Sequence, residues 1–164
     1  EPSQKGVHDR PVEDEDYWQE IKLATRKAHL FFHLGTVHQI YVTYLSPEVL
    51  DAFERRRSRL KNPQDKLFSV KKNERAFFLS LFSPEDKLNR LSDKGIWNIY
   101  LEGEESKKYP KKVLSLSKKD IWKNYFPFVN KWSEEFLVVF KEDQNEKLSL
   151  FLSSPKAKTS FMWN

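Results

Sequence analysis

The chain has 164 residues and a formal net charge of +5, with 38% hydrophobic and 32% charged residues. This length accommodates one ordinary domain and excludes two independent cores. The 13 phenylalanines, 6 tyrosines and 5 tryptophans supply enough bulky core material to exclude wholesale disorder. The lack of cysteine excludes disulfides, thiolate metal sites and a thiol nucleophile.

Residues 1–16 are predicted to form a flexible acidic leader, and residues 17–164 a single β-rich globular domain. The leader contains six acidic residues and two basic ones, with two prolines and little that could anchor a core. The domain that follows is therefore more basic than the whole chain. The longest strongly apolar run, residues 136–140, is far shorter than the roughly 20 residues that span a bilayer, so no transmembrane segment is predicted.

The first predicted element is a helix. Bulky side chains recur every three to four residues from Tyr17 onward, which predicts an amphipathic helix over residues 17–34. A strand over residues 24–32 is an equally supported alternative beyond Thr25, and Gly35 would then turn the chain into a hairpin. Residues 37–45 are β-branched or aromatic at most positions, which predicts a strand.

Ser-Pro-Glu at positions 46–48 predicts the start of a helix over residues 47–60. Serine can cap the first amides, proline suits the first helical position, and glutamate favours the positive end of the helix dipole. The same three residues recur at positions 83–85, between a predicted strand over residues 76–82 and a short predicted helix. The chemistry of strand-to-helix junctions accounts for this echo more readily than a true internal repeat.

The second half of the chain is predicted to be β-rich. The predicted strands cover residues 96–101, 112–116, 135–140 and 147–152. The last two are expected to pair as an antiparallel hairpin, and residues 120–132 to form a long packed loop. This order of elements predicts a mainly β fold, either an antiparallel β-sandwich or a single curved antiparallel sheet, with two or three peripheral helices. An α+β fold is the alternative.

Three of the four histidines, His29, His33 and His38, lie close together in the sequence. On a helix, His29 and His33 would share a face at the spacing of two metal ligands. On a strand they would lie roughly 13 Å apart, too far to chelate one ion. No H-E-x-x-H motif accompanies them, so they are weak metal candidates, and no metal or cofactor is predicted. Because a G-x-S-x-G motif is also missing, no catalytic residue is predicted.

A basic cluster on the predicted second helix consists of Arg55, Arg56, Arg59 and Lys61. The apolar residues of this helix can face the core, so these side chains are expected to face solvent and to reach phosphates or carboxylates. Lysine pairs at 107–108 and 111–112 flank Tyr109, and basic residues interleaved with aromatic ones are typical of single-stranded nucleic-acid binders. The alternative is that these lysines solvate the surface and protect edge strands.

The remaining aromatic residues indicate a second candidate surface. Trp97 lies in an alternating strand pattern and is expected to be buried. Trp122, Tyr125 and Trp132 lie in the predicted long loop and are the better candidates for binding a partner. The apolar residues 161–163 are expected to dock on the domain.

These features support one leading functional hypothesis. The protein is predicted to be a non-catalytic, exported bacterial envelope protein, periplasmic or in the outer envelope. It would act as a binding or assembly module through a basic, aromatic-rich surface. Its expected partner is a protein or an anionic envelope component. The acidic leader is expected to follow an acylated residue, which would provide the attachment to a membrane.

Two alternatives belong to other classes of protein. A cytoplasmic nucleic-acid or polyanion-binding protein would use the basic cluster and the lysine pairs, and its binding would weaken steeply with added salt. A hydrolase or metal enzyme would use His29, His33 and His38, and its activity would depend on these side chains.

Overall fold

The computed structural model describes residues 12–32, 34–60, 68–103, 106–116, 119–142 and 147–164. The described residues form a mainly β fold with two antiparallel sheets, which confirms the predicted fold class. The helices of the described residues are α1 (Val12–Ala24), α2 (Pro47–Arg59) and the short α3 (Lys119–Trp122). The strands are β1 (Thr25–Phe32), β2 (Gly35–Tyr44), β3 (Glu74–Phe82), β4 (Asn98–Glu102), β5 (Lys107–Lys108), β6 (Lys112–Leu116), β7 (Glu134–Lys141), β8 (Leu148–Ser153) and β9 (Lys158–Trp163). None of these helices is long and apolar enough to cross a membrane.

The two sheets pack face to face around the main core. The five-stranded sheet has the strand order β1-β2-β3-β7-β6, and the four-stranded sheet has the order β5-β4-β8-β9. The core combines side chains such as Val42, Phe77 and Val138 of the first sheet with Leu101 and Leu150 of the second. The arrangement is therefore that of an antiparallel β-sandwich.

A second core covers the opposite side of the five-stranded sheet. Its members include Phe53 of α2, Phe78 of β3 and Leu137 of β7, together with Phe126 from the loop that follows α3. Because β3 and β7 are buried on both faces, their sequences are almost continuously apolar. The strands of the four-stranded sheet alternate instead, since that sheet has one buried face and one outer face.

The first helix ends earlier than its periodicity predicted. α1 ends at Ala24, and β1 starts at Thr25 and pairs with β2. The prediction of a helix through residue 34 was therefore wrong, and the alternative prediction of a strand is confirmed. Thr25 explains the change, because its Oγ1 donates to the carbonyl of Ile21 at 2.6 Å and lies 2.7 Å from Thr43 Oγ1 across the strand pair. In the following turn, Leu34 takes the left-handed conformation, with a φ of 65°.

At its other end α1 begins at Val12. The boundary predicted between residues 16 and 17 therefore falls inside a helix, and the last residues of the predicted leader are helical. Residues 1–11 lie outside the described residues, so a flexible leader stays a prediction for that segment.

The two Ser-Pro-Glu sequences have different local structures. Ser46 caps α2 as predicted, because its side chain accepts a hydrogen bond from the Val49 amide at 3.2 Å. Ser83 instead donates through Oγ to the carbonyl of Val37 at 2.7 Å. The element that follows it is a short 3-10 helix, Asp86–Asn89, without a side-chain cap. The shared sequence thus does not produce a shared motif.

The predicted pairing of the strands near 135–140 and 147–152 was wrong. β7 pairs with β3 and β6 in the five-stranded sheet, whereas β8 pairs with β4 and β9 in the other. Both edges of β7 are occupied, by β3 and β6, so β8 cannot pair with it and the chain crosses to the other sheet at this point. The apolar C-terminal residues dock as β9, and Trp163 Nε1 donates to the carbonyl of Ala24 at 2.8 Å.

Candidate functional site

Arg56 of the basic cluster points into the protein. Its side chain is 11% exposed, and its Nη1 lies 2.6 Å from Asp14 Oδ1 in α1. Its Nε donates to the carbonyl of Asn124 at 2.6 Å. Its guanidinium lies 5.0 and 4.6 Å from the ring centroids of Tyr17 and Trp18. The prediction that Arg56 faces solvent was therefore wrong, since this side chain joins α1 and α2 to the loop after α3.

The other members of the basic cluster are in different situations. Arg59 forms an ion pair with Asp14, the same carboxylate that binds Arg56. Arg55 is exposed, as predicted. Lys61 lies outside the described residues. One carboxylate of the predicted leader therefore neutralises part of the charge that suggested a polyanion site.

A groove of about 880 Å³ lies between α1 and α2, beside the basic cluster. Arg55, Arg56 and Arg59 contribute to its lining. The carboxylates in its lining are those of Asp16, Glu20, Glu48, Asp51 and Glu54. Carboxylates at this density repel phosphate groups, so the groove is poorly suited to a polyanion.

Trp122 and Tyr125 belong to the core on the helix side of the five-stranded sheet. Both side chains are fully buried, and the Tyr125 ring lies 4.4 Å from that of Phe53. The Tyr17 hydroxyl donates to the carbonyl of Tyr125 at 2.7 Å, and burial raises the pKa of Tyr17. The prediction that Trp122 and Tyr125 form a partner-binding surface was therefore wrong, because their rings complete the packing of the helices on the sheet.

Trp132 and Trp97 are placed as predicted. Trp132 is 64% exposed, and Lys131 Nζ lies 4.3 Å from its ring centroid. Trp97 is buried, and its Nε1 donates to the carbonyl of Leu88 at 2.9 Å. Trp132 is thus the member of the predicted loop surface that a partner could reach.

The histidines do not converge on one site. His29 is exposed, with Nε2 3.0 Å from Thr36 Oγ1. His38 is buried on the other face of the hairpin, where its Nε2 lies 2.8 Å from Ser154 Oγ and its ring packs on Trp97. Burial lowers the pKa of His38 to about 4. His33 lies outside the described residues, and within those residues no group of three His, Asp or Glu side chains is placed to hold a metal ion.

The lysines around Tyr109 have separate roles. Lys111 Nζ lies 3.0 Å from the buried carboxylate of Glu74, and this hydrogen bond lowers the pKa of Glu74. Lys107 lies at the other side of Tyr109, in β5, and its Nζ is 4.6 Å from the ring centroid of Tyr100. The first lysine therefore stabilises the five-stranded sheet, and the second lies on the surface of the four-stranded sheet.

Three aromatic rings form a strip on the outer face of the four-stranded sheet. The rings of Tyr100 in β4 and Phe151 in β8 stack in parallel, with centroids 5.0 Å apart and an interplanar angle of 3°. The ring of Tyr109 lies 6.2 Å from that of Tyr100 and is 61% exposed. We call Tyr100, Tyr109 and Phe151 the aromatic strip.

The surroundings of the aromatic strip are polar and weakly basic. Alternation along β4, β8 and β9 sends every second side chain outward. The outward residues other than the strip are Asn98, Glu102, Lys107, Ser149, Ser153, Lys158, Ser160 and Met162. This surface can stack rings, donate hydrogen bonds and pair with anions.

Sequence reasoning found only part of this surface. The lysines on both sides of Tyr109 singled out that residue. Sequence reasoning missed Phe151, because the pairing of β4 with β8 was not predicted. The signal for Phe151 was the alternation of Leu148, Leu150 and Leu152 around it.

The sequence matches no protein-family model and no curated protein. The basis for a function is therefore the chemistry of the described surfaces. Among them, Arg56 and Arg59 of the basic cluster pair with Asp14, whereas the aromatic strip faces outward with Lys107 at its side.

Proposed function

We propose that the protein is a non-catalytic binding module of a bacterial envelope, exported to the periplasm or the outer envelope. Its binding surface is the outer face of the four-stranded sheet. The aromatic strip carries this proposal, because the outer face of a sandwich sheet is ordinarily polar. Exposed aromatic residues next to cations are typical of surfaces that bind partners.

The exposed ring of Tyr109 indicates a partner more directly than the stacked rings of Tyr100 and Phe151 do. A stacked cross-strand pair such as Tyr100 and Phe151 stabilises a sheet by itself, so the pair alone does not indicate a partner. Tyr109 lies outside the strands and remains 61% exposed. A partner that covered this ring would bury apolar area that folding leaves in water.

The charges on the same face support an anionic partner. Lys107 and Lys158 are exposed on it, and among the described outward residues Glu102 is the single carboxylate. The groove at the basic cluster is lined by five carboxylates. The outer face of the four-stranded sheet therefore suits an anionic envelope component better than the groove suits a nucleic acid.

The test uses two exposed aromatic residues that each have a lysine nearby. Purified protein is sedimented with envelope fragments from the source cells, and Tyr109→Ala is compared with Trp132→Ala. Loss of an exposed interface ring should weaken binding about fivefold for Tyr109→Ala. Trp132→Ala, which removes an equally exposed ring from another surface, should change it less than twofold. Failure of the native protein to sediment, or equal losses in both variants, would contradict the proposed surface.

The envelope location is tested separately. Cells that express the full-length protein are fractionated, and the intact mass of its N-terminus is measured. An envelope fraction with a cleaved or acylated N-terminus supports export. A soluble cytosolic protein with an unmodified methionine would exclude the envelope role.

A further inference from the structure

We propose that the free face of the Phe151 ring is a slot for one sugar ring of an acidic polysaccharide. This inference rests on the proposed function and specifies its ligand. In the sheet register, Tyr100 pairs with Phe151, and Phe151 pairs with Ser160 of β9. The Tyr100 ring stacks on one face of Phe151. The other face of the ring therefore lies on the side of Ser160.

The small side chain at position 160 creates the space. Ser160 is exposed, and β9 lies one strand spacing from β8, about 4.8 Å. A ring that stacks on Phe151 would lie above Ser160, continuing the stack that Tyr100 begins. The neighbouring outward residues of β9 are Lys158 and Met162, one on each side of Ser160. A bound ring would thus have an aromatic wall, an apolar side and a cationic side.

The polar groups on the face favour a sugar over a nucleic-acid base. Asn98, Ser149, Ser153 and Ser160 point outward around the strip. Their hydroxyl and amide groups both donate and accept hydrogen bonds, which matches the hydroxyl groups of a sugar. A nucleic acid carries one phosphate per nucleotide, and its binding surfaces are strongly basic. The described outward residues offer two lysines and a glutamate, which is a low positive charge for that role.

The positions of the two lysines indicate an acidic sugar polymer. Lys107 lies beside the strip in β5, and Lys158 lies at the other edge of the sheet in β9. Lys107 lies in the row of Glu102, whereas Lys158 lies in the row of Asn98. Three strand spacings across the sheet, about 14 Å, and four residues along it, about 13 Å, therefore separate the two lysines by roughly 19 Å. A short oligosaccharide that carried carboxylates could therefore reach both lysines while one ring occupied the slot. Polysaccharides of uronic acid units have this combination of ring faces, hydroxyls and carboxylates.

The experiment measures binding of polygalacturonate and of oligothymidylate by the full chain. Ser160→Trp places an indole in the slot, and Phe151→Leu keeps an apolar side chain but removes the flat ring. Each should weaken polygalacturonate binding about tenfold, by analogy with the loss of one stacked ring. Ser69→Trp is the matched control, because Ser69 is exposed in the segment before β3, on the helix side of the molecule.

The outcomes separate this inference from the proposed function. Polygalacturonate binding that both slot variants weaken, and that Ser69→Trp leaves unchanged, supports the slot. Equal binding by native protein and Ser160→Trp overturns it. Oligothymidylate binding with a steep salt dependence overturns the sugar assignment in favour of a nucleic acid. If polygalacturonate does not bind but Tyr109→Ala still weakens binding to envelope fragments, the ligand assignment fails and the proposed surface stands.

Discussion

Two regions of the protein combine cations with aromatic rings, one around Arg56 and one around Lys107, and they differ in burial. On α2, Arg56 lies between Asp14, Tyr17 and Trp18 with its side chain 11% exposed. On β5, Lys107 lies above Tyr100 on the open face of a sheet. Both regions consist of cations next to aromatic rings. The same combination of residues is therefore covered by a helix in one region and left open to solvent in the other.

The acidic residues at the start of α1 account for the difference. Asp14 provides the carboxylate that pairs with Arg56 and Arg59. On the outer face, Glu102 pairs in register with Lys107 across β4 and β5, and the described outward residues around the aromatic strip are exposed or half-buried. The first region is therefore a joint between helices, and the second is a surface.

The largest expected effect is on the helix joint. Arg56→Ala would remove the guanidinium from Asp14, from the Asn124 carbonyl and from two aromatic rings. We expect a loss of about 3 kcal/mol in the free energy of unfolding, because the Asn124 carbonyl loses a charged donor and two aromatic rings lose the guanidinium, while Asp14 keeps Arg59 as a partner. Urea unfolding measures this value. Arg55→Ala, on the exposed neighbour, should change stability by less than about 0.5 kcal/mol. Similar losses in both variants would mean that the joint does not stabilise the fold.

A second prediction concerns the buried His38. The folded pKa of His38 is about 4, below the usual value of 6.5, because burial disfavours the charged ring. Between these values the unfolded chain binds a proton that the folded chain does not. The stabilising contribution is therefore complete above pH 6.5 and is lost as the pH falls toward 4. The expected loss from pH 6.5 to 4.5 is about 2 kcal/mol.

The measurement for His38 is the slope of unfolding free energy against pH. In His38→Gln, the slope between pH 6.5 and 4.5 should correspond to about one fewer proton taken up on unfolding. A native slope in His38→Gln would show that other groups cause the acid sensitivity.

Particular residues show how far the sequence predicted this structure. β6 was predicted at its exact bounds, and the cap at Ser46 was predicted from local chemistry alone. Local patterns contain that information, because caps and alternation involve neighbours in the chain. The partners of Arg56 and the stacking of Tyr100 on Phe151 join residues far apart in sequence. Such contacts depend on the order of strands, which one sequence did not reveal.

The candidate site was predicted only in part, because some of its residues come together through contacts between distant parts of the sequence. Tyr109 and its lysines were visible as a local run, whereas Phe151 required the β4–β8 pairing. Trp122 and Tyr125 were misplaced because an aromatic-rich segment without regular periodicity looks the same whether it covers a core or faces solvent. Their burial follows from the two-sided burial of β3 and β7, which requires a cover of large side chains on the helix side.

A third prediction concerns the helix that carries the basic cluster. Ser46→Ala should destabilise the protein by about 1 kcal/mol, since the Val49 amide loses its capping oxygen. Ser46→Asp, which retains an acceptor, should recover most of this loss. Chemical unfolding of the three proteins measures the difference. A loss that Ser46→Asp does not recover would mean that the hydroxyl acts in another way.

The smallest expected effect on stability is that of substitutions in the aromatic strip. These substitutions distinguish a ring that stabilises the sheet from a ring that binds a partner. Tyr100→Ala should cost about 1 kcal/mol, because the ring stacks on Phe151 across the strand pair. Tyr109→Ala should cost less than about 0.5 kcal/mol, because its ring is mostly in solvent. Thermal unfolding compares the two. If Tyr109→Ala proved as destabilising as Tyr100→Ala, the exposed ring would serve the fold, and the surface would resemble the helix joint after all. A stable Tyr109→Ala protein with weakened envelope binding would instead establish that this ring is kept for a partner.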